Sequence, residues 1–190
     1  MRITLALVLA VAIAAAIVVA RQRDESSASD SGSVTLVGDS LNVGVEPYLA
    51  DELPGWQVDS HDQVGRASGE GVAELRARRT TLAPIVVVSL GTNDPEGTED
   101  DFRALVDDAI RIVGPSRCLI WATIVRDGEE RTGFDDVLRE AEGAHANVHL
   151  VEWASLVSED PSLLAGDRVH GTPDGYARRA EETARAIRAC

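Results

Sequence analysis

The sequence predicts an α/β fold: a five-stranded parallel sheet covered by helices on both faces. Three observations carry that expectation. Short apolar runs without polar alternation recur between residues 34 and 153. Segments of helical periodicity lie between them, and capping or turn residues divide the two kinds. Strands that are apolar on both sides belong in a sheet sandwiched between helix layers.

In chain order, residues 34–37 read as a buried first strand, followed by a helix over 42–53. A short strand over 57–60 precedes a helix over 69–82 that is rich in Ala, Glu and Arg. Residues 85–90 form the most apolar run and are assigned to the centre of the sheet. Thr98-Glu99-Asp100-Asp101 opens the next helix with a capping hydroxyl and first-turn acids, and it runs to about residue 113. A strand over 118–125, a helix over 134–144 and a strand over 148–153 follow. Thr172-Pro173 then sets a capping hydroxyl ahead of a first-turn proline, and the last helix runs to residue 189.

The chain has 190 residues, enough for one sizeable core, taken as residues 34–190. It is 44% hydrophobic but only 4% aromatic, so Ala, Val and Leu must fill the interior. Its formal net charge is -14, with every positive side chain an arginine. Nucleic-acid binding is excluded on that balance, since tracking phosphates needs clustered positive charge.

Residues 1–20 read as a membrane segment, and 21–33 as a flexible polar tether. Residues 3–20 are uninterruptedly apolar, with Arg2 before them and Arg21 and Arg23 after. Eighteen helical residues span roughly 27 Å, close to the hydrocarbon thickness of a bilayer. That length favours a single-pass anchor, while Val18-Val19-Ala20 offers the alternative of a cleaved secretory signal. Both readings put the domain outside the cytoplasm. There Cys118 and Cys190 can form a disulfide or stay as two thiols, and the sequence leaves both open.

Three short motifs lie at ends of apolar runs or ahead of a helix. Gly38-Asp39-Ser40-Leu41 follows the first strand and Gly91-Thr92-Asn93-Asp94 the third, while Asp167-Arg168-Val169-His170 precedes the last helix. A parallel sheet binds ligands outside the carboxyl ends of its strands, which brings the first two motifs to one edge. Ser40 needs a base to become a nucleophile, and His170 is the best of the four histidines. Asp167, three residues earlier, can hold the imidazole tautomer. The Ser40 backbone N–H, Gly65 and the Asn93 amide can cradle a developing oxyanion. Each motif has a bland alternative: Ser40 as a helix cap, Asn93-Asp94-Pro95 as a turn, Asp167 and His170 as a loop ion pair. Asp39 reads as a structural hydrogen-bonding residue.

Together these motifs resemble those of the SGNH (GDSL-type) hydrolase superfamily, in family order and over nearly all of the chain beyond the tether. Gly38-Asp39-Ser40-Leu41 is similar to its nucleophile block and Gly65, in Val64-Gly65-Arg66, to its glycine block. Gly91-Thr92-Asn93-Asp94 and Asp167-Arg168-Val169-His170 match its third and fourth blocks. The resemblance implies a flavodoxin-like three-layer α/β/α fold and a catalytic triad of Ser40, His170 and Asp167. It also implies an oxyanion hole from Ser40, Gly65 and Asn93, with no metal and no cofactor.

The first functional expectation is an extracytoplasmic hydrolase of carboxylic esters with short acyl groups. The alternatives are an acyltransferase that O-acetylates a cell-envelope glycan with a separate membrane acyl donor, and a non-catalytic wall-binding domain. His145 and His149 do not share a helix, which argues against a zinc pair. The glycines from Gly65 to Gly71 lack the Lys-Ser/Thr of a phosphate loop. Trp121 and Trp153 are expected in or near the core, with Trp121 a candidate for the acyl pocket.

Overall fold

The computed structural model describes residues 31–190. The apolar segment 3–20 and residues 21–30 of the polar stretch lie outside the described residues. Strand β1 (Ser33–Gly38) leads into helix α1 (Ser40–Glu52), β2 (Gln57–Ser60) into α2 (Ser68–Ala77), and β3 (Ile85–Ser89) into α3 (Glu99–Val113). After β4 (Cys118–Ala122) come the short strands β5 (Val125–Arg126) and β6 (Glu129–Glu130), then α4 (Thr132–Ala144). Strand β7 (Val148–Val151) and α5 (Trp153–Glu159) precede a 3-10 turn, Pro161–Leu163, and α6 (Pro173–Ala189).

Five strands pair in parallel in the order β2-β1-β3-β4-β7. Their apolar residues divide between two covered faces, as the continuous runs require. Val34, Leu36, Val87, Ile120 and Val151 pack with Val45 and Leu49 of α1 and Ala180, Ala184 and Ile187 of α6. Val37, Val86, Val88, Leu119 and Trp121 pack with residues of α2, α3 and α4, among them Leu75, Phe102 and Leu138. The chain goes from β1 to edge strand β2, then returns past β1 to β3. The crevice at the carboxyl ends of β1 and β3 is therefore the topological switch point.

Several boundaries differ from expectation for local reasons. The strand expected over 118–125 stops at Ala122, because Ile124 N–H turns to Asp135 Oδ1 at 2.8 Å. The chain then forms the β5–β6 hairpin, whose turn residues Asp127 (φ 56°) and Gly128 (φ 79°) have the positive φ of a type I′ turn. The strand expected over 148–153 ends at Val151, since Trp153 starts α5. Seven residues give α5 too short a period to be recognised. Helix α2 ends at Ala77, and the N–H groups of Thr81 and Leu82 turn back to Arg78 O. Helix α4 begins two residues earlier than expected, at Thr132.

Cys118 and Cys190 are joined by a disulfide across a sequence separation of 72, with their Cα atoms 6.0 Å apart. The bond ties the end of α6 to the start of β4. Closing a loop of that length constrains the unfolded chain by about 4 kcal/mol in the loop-entropy treatment.

Candidate active site

The turn after β1 decides what Ser40 can do. Asp39 is the N-cap of α1: its Oδ1 accepts the Leu41 N–H at 2.9 Å. Ser40 is thus relieved of capping and becomes the first helical residue, two positions earlier than the expected helix start. Its Oγ lies 2.9 Å from His170 Nε2, 130 residues away in sequence. Asp39 N–H donates to Ser89 O at 3.0 Å, which ties the turn to the end of β3.

The loop that carries His170 is held from several sides. Asp167 Oδ2 lies 2.7 Å from His170 Nδ1, and Asp167 Oδ1 accepts the backbone N–H groups of Val169 and His170 at 3.0 Å each. Ala165 N–H donates to His170 O at 2.7 Å. Between them Arg168 adopts a left-handed φ of 60°, uncommon for a residue with a side chain. Its carbonyl accepts the Gly128 N–H at 2.7 Å, so the β5–β6 hairpin braces the loop. Tyr176 of α6 wedges the loop against α1. A Cβ on Gly44 would stand 2.2 Å from the Tyr176 ring, so α1 needs a glycine there.

Gly65 and Asn93 are stitched to the same turn. Arg66 is buried and donates through Nη1 to Gly38 O at 3.4 Å and to His61 O. This draws the exposed Gly65 turn (φ 75°) against the end of β1. Asn93 Nδ2 donates to Asp39 Oδ2 and to Arg66 O, both at 3.1 Å. The adjoining Asp94 accepts the Ser68 N–H at 2.8 Å, which links this loop to the first turn of α2. Arg126 and Arg131 donate to carbonyls of Gly91, Thr92 and Asp94 from the hairpin side.

Charge is graded across the site. Hydrogen bonds from the His170 side chain and backbone hold the exposed Asp167 carboxyl down at about 2. Burial instead pushes Asp39 up to about 6, opposed by the Leu41 N–H and the Arg179 cation. Burial also raises Asp62, which accepts hydrogen bonds from Asn42 and Ser60. Arg179 lies beneath the turn with 3% exposure, and its Nη2 donates to Ser89 Oγ at 2.8 Å.

Each predicted site residue lies at this crevice: Ser40, His170 and Asp167 form one hydrogen-bonded chain, while Gly65 and Asn93 flank it. Such a chain can pass a proton from a serine hydroxyl to an imidazole oriented by a carboxylate. Asp39 has the structural role expected of it. The supporting side chains Arg66, Arg126, Arg131, Tyr176 and Arg179 went unrecognised. Asp127-Gly128 is a hairpin signature that could have revealed the hairpin carrying Arg126.

Other candidates lie elsewhere. Trp121 is 1% exposed, donates through its indole nitrogen to Leu90 O and meets Phe102 edge-on, so it is core and lines no acyl pocket. Trp153 is equally buried. His149 stands in β7 near Cys118 and Cys190, whose sulfurs are bonded to each other and leave no thiolate there. A polar cavity of about 390 Å³ lies beside the hairpin, but neither Ser40, Asp167 nor His170 lines it.

No family model matches the chain. It is 29% identical over 141 residues to the O-acetyltransferase OatA of Staphylococcus aureus, a match covering 73% of this chain. The match spans only 22% of that relative's length. Among solved structures, the C-terminal catalytic domain of Streptococcus pneumoniae peptidoglycan O-acetyltransferase A superposes with a TM-score of 0.65 at 20% identity. It covers 84% of this chain and 91% of that one. A member of the lipolytic G-D-S-L family from Veillonella parvula gives 0.66 at 16% identity, over 80% of this chain and 96% of that one. The fold is that of the SGNH (GDSL-type) hydrolases. The strand order β2-β1-β3-β4-β7, with Ser40 and Asn93 at the β1/β3 switch point, agrees with the flavodoxin-like architecture expected from the motifs.

Proposed function

We propose that this SGNH domain transfers short acyl groups, acetyl foremost, to hydroxyls of a cell-envelope glycan through an acyl-Ser40 intermediate. The observation that carries the reading is the hydrogen-bonded series from Ser40 Oγ to His170 Nε2 and from His170 Nδ1 to Asp167, at 2.9 and 2.7 Å. His170 takes the Ser40 proton as Oγ bonds to the acyl carbon, and returns it to the leaving oxygen as the donor ester breaks. A glycan hydroxyl then gives its proton to His170 and attacks the acyl carbon. Ser40 leaves and recovers the proton. Asp167 stabilises the imidazolium in both halves. The Ser40 and Gly65 N–H groups and the Asn93 amide receive the oxyanion. Because Asn93 Nδ2 already donates to Asp39 and Arg66, the oxyanion shares the N–H directed at Arg66 O.

Hydrolysis, the first expectation from the residues, is the same path with water as the second acceptor. Transfer moves ahead of it because the Staphylococcus aureus relative is an O-acetyltransferase and the pneumococcal neighbour a peptidoglycan O-acetyltransferase domain. An open site supports an acceptor on a polymer: the His170 and Asp167 side chains are 42% and 53% exposed. Val43, three residues after Ser40, and Val64, next to Gly65, are the exposed large hydrophobics among the described residues and suit a short acyl chain. Among the described residues no helix is long and apolar enough to cross a membrane. Residues 3–20 supply the anchor in this reading, with the domain outside the cytoplasm and a separate membrane protein delivering the acyl group.

The test is to supply the full chain with p-nitrophenyl acetate and soluble peptidoglycan fragments. O-acetylated sugar in excess of free acetate supports transfer. Acetate alone, at a rate indifferent to the fragments, returns the domain to hydrolysis.

A further inference from the structure

The buried Arg179 has no part in the proton path, yet it bonds Ser89, the residue to which the nucleophile turn is tied. Its guanidinium is fixed on two sides: Nη2 donates to Ser89 Oγ at 2.8 Å, and the group stands 5.2 Å from the Trp153 ring centroid. Nη1 is buried and has no hydrogen-bond acceptor among the described residues. A cation so poorly solvated is costly unless an opposite charge is near. Ser89 brings such a charge close: its Oγ takes Arg179 Nη2 at 2.8 Å while its carbonyl takes the Asp39 N–H at 3.0 Å, and Asp39 is itself wholly buried.

Asp39 is the hinge of the site. One oxygen takes the Leu41 N–H, which sets the turn that presents Ser40. The other takes the Asn93 amide. Each oxygen thus accepts one N–H, a role the anion fills more strongly than the acid, whose hydroxyl oxygen is a weaker acceptor and whose proton would need a partner of its own. Four charged or titratable groups face it: Arg179 and Tyr176 from α6, Asp62 from the loop after β2, and His170 from the loop before α6. Asp62 opposes its ionisation. His170 lies in the reacting path, and its charge changes during turnover. Arg179 is the permanent cation among them.

We propose that Arg179 is a positioning residue for the nucleophile turn: its buried guanidinium keeps Asp39 anionic, so that Asp39 fixes Ser40 and the Asn93 amide together. The inference rests on the acyl-transfer reading for its kinetic consequences but not for its physical core. It explains why an arginine on the helix face turned toward the sheet is kept from water, where a long charged side chain usually reaches out.

The experiment compares the full chain in detergent micelles with Arg179→Met, Arg179→Lys and the pair Asp39→Asn/Arg179→Met. The Asp39 carboxyl is followed by ¹³C NMR in Asp-labelled protein, its resonance assigned by loss in Asp39→Asn. In the native chain burial should place its midpoint above the ordinary carboxylate range, at about 6. In Arg179→Met the midpoint rises by about one unit or more, a tenfold change in its acid constant. Arg179→Lys brings it partly back. The acid limb of kcat/KM moves up with it, kcat falls about tenfold with KM nearly unchanged, and Arg179→Met has no further effect in the Asp39→Asn background. An Asp39 midpoint indifferent to Arg179 overturns the proposal, as does an equal loss of activity in both backgrounds. Should Arg179→Met fold poorly, the pair, with neither buried charge, recovers thermal stability if the two are coupled, and failure to recover it contradicts them. A native chain without turnover sinks the functional reading alone, since the titration and the melting temperatures still decide the linkage.

Discussion

The backbone N–H of Gly128 donates to the carbonyl of Arg168 at 2.7 Å, joining a two-residue hairpin turn to the loop that holds His170. A Cβ on Gly128 would stand 2.5 Å from Arg168 Nε, and its φ of 79° suits few side chains. Gly128→Val should therefore displace the hairpin and loosen the His170 loop while sparing the core. Steady-state kinetics should show kcat down by about tenfold, since small misplacement of a reacting group is costly. Melting within a few degrees of the native chain should accompany it. Undiminished kcat would remove the hairpin from the site's support.

Asp167→Asn separates holding the loop from orienting the imidazole. An asparagine oxygen can still accept the Val169 and His170 N–H groups, but its amide nitrogen cannot accept from Nδ1. The rate should fall by roughly 10²–10⁴ with the loop intact. Asp167 has its carboxyl held at about 2, and a lowered carboxyl is protonated only as the pH falls toward that value. An acid limb in the native rate between pH 4 and 7 thus cannot belong to Asp167. Persistence of more than a tenth of native kcat in the variant would show that the carboxylate does not orient the base.

Val64 is 70% exposed beside Gly65, where an acyl chain would rest. Val64→Asp adds a charge there without touching the core. The KM for p-nitrophenyl butyrate should rise several-fold, and more than that for the acetate. Equal effects on both esters would mean that the chain rests elsewhere.

Asp135 is wholly buried, with Oδ1 on the Ile124 N–H and Oδ2 lacking a partner among the described residues. Burial pushes its carboxyl up to about 8 from an ordinary 3.8. Between those values the folded chain holds a proton that the unfolded chain has lost, so stability declines as the pH rises through that window. Asp135→Asn carries no such penalty. Its melting temperature should gain on the native one from pH 4 to 8 and then hold a constant lead, each kcal/mol giving about 2–4 °C. A difference that does not vary with pH would contradict this.

The sheet was legible because its inner strands β1, β3 and β4 are apolar on both sides, and residues 85–90 named its centre correctly. Ser40, Asn93 and His170 were legible because each sits in a short local string. What escaped was made by distance or brevity. Arg179 occupies an amphipathic helix where arginine normally faces water, and only tertiary packing turns it toward Asp39. Helix α5 has seven residues and its first, Trp153, continued an apolar run, so the run was read as strand. The donors of Arg126 and Arg131 reach carbonyls more than 30 residues away, which no local pattern announces.

Activation of the residue-40 hydroxyl by its imidazole neighbour is most directly read by fluorophosphonate labelling with peptide mapping by mass spectrometry. The adduct should form on Ser40 in the native chain, slow at least a hundredfold in His170→Ala, and vanish in Ser40→Ala with the fold retained. A native chain that stays unlabelled, or labels equally fast without His170, would contradict the account.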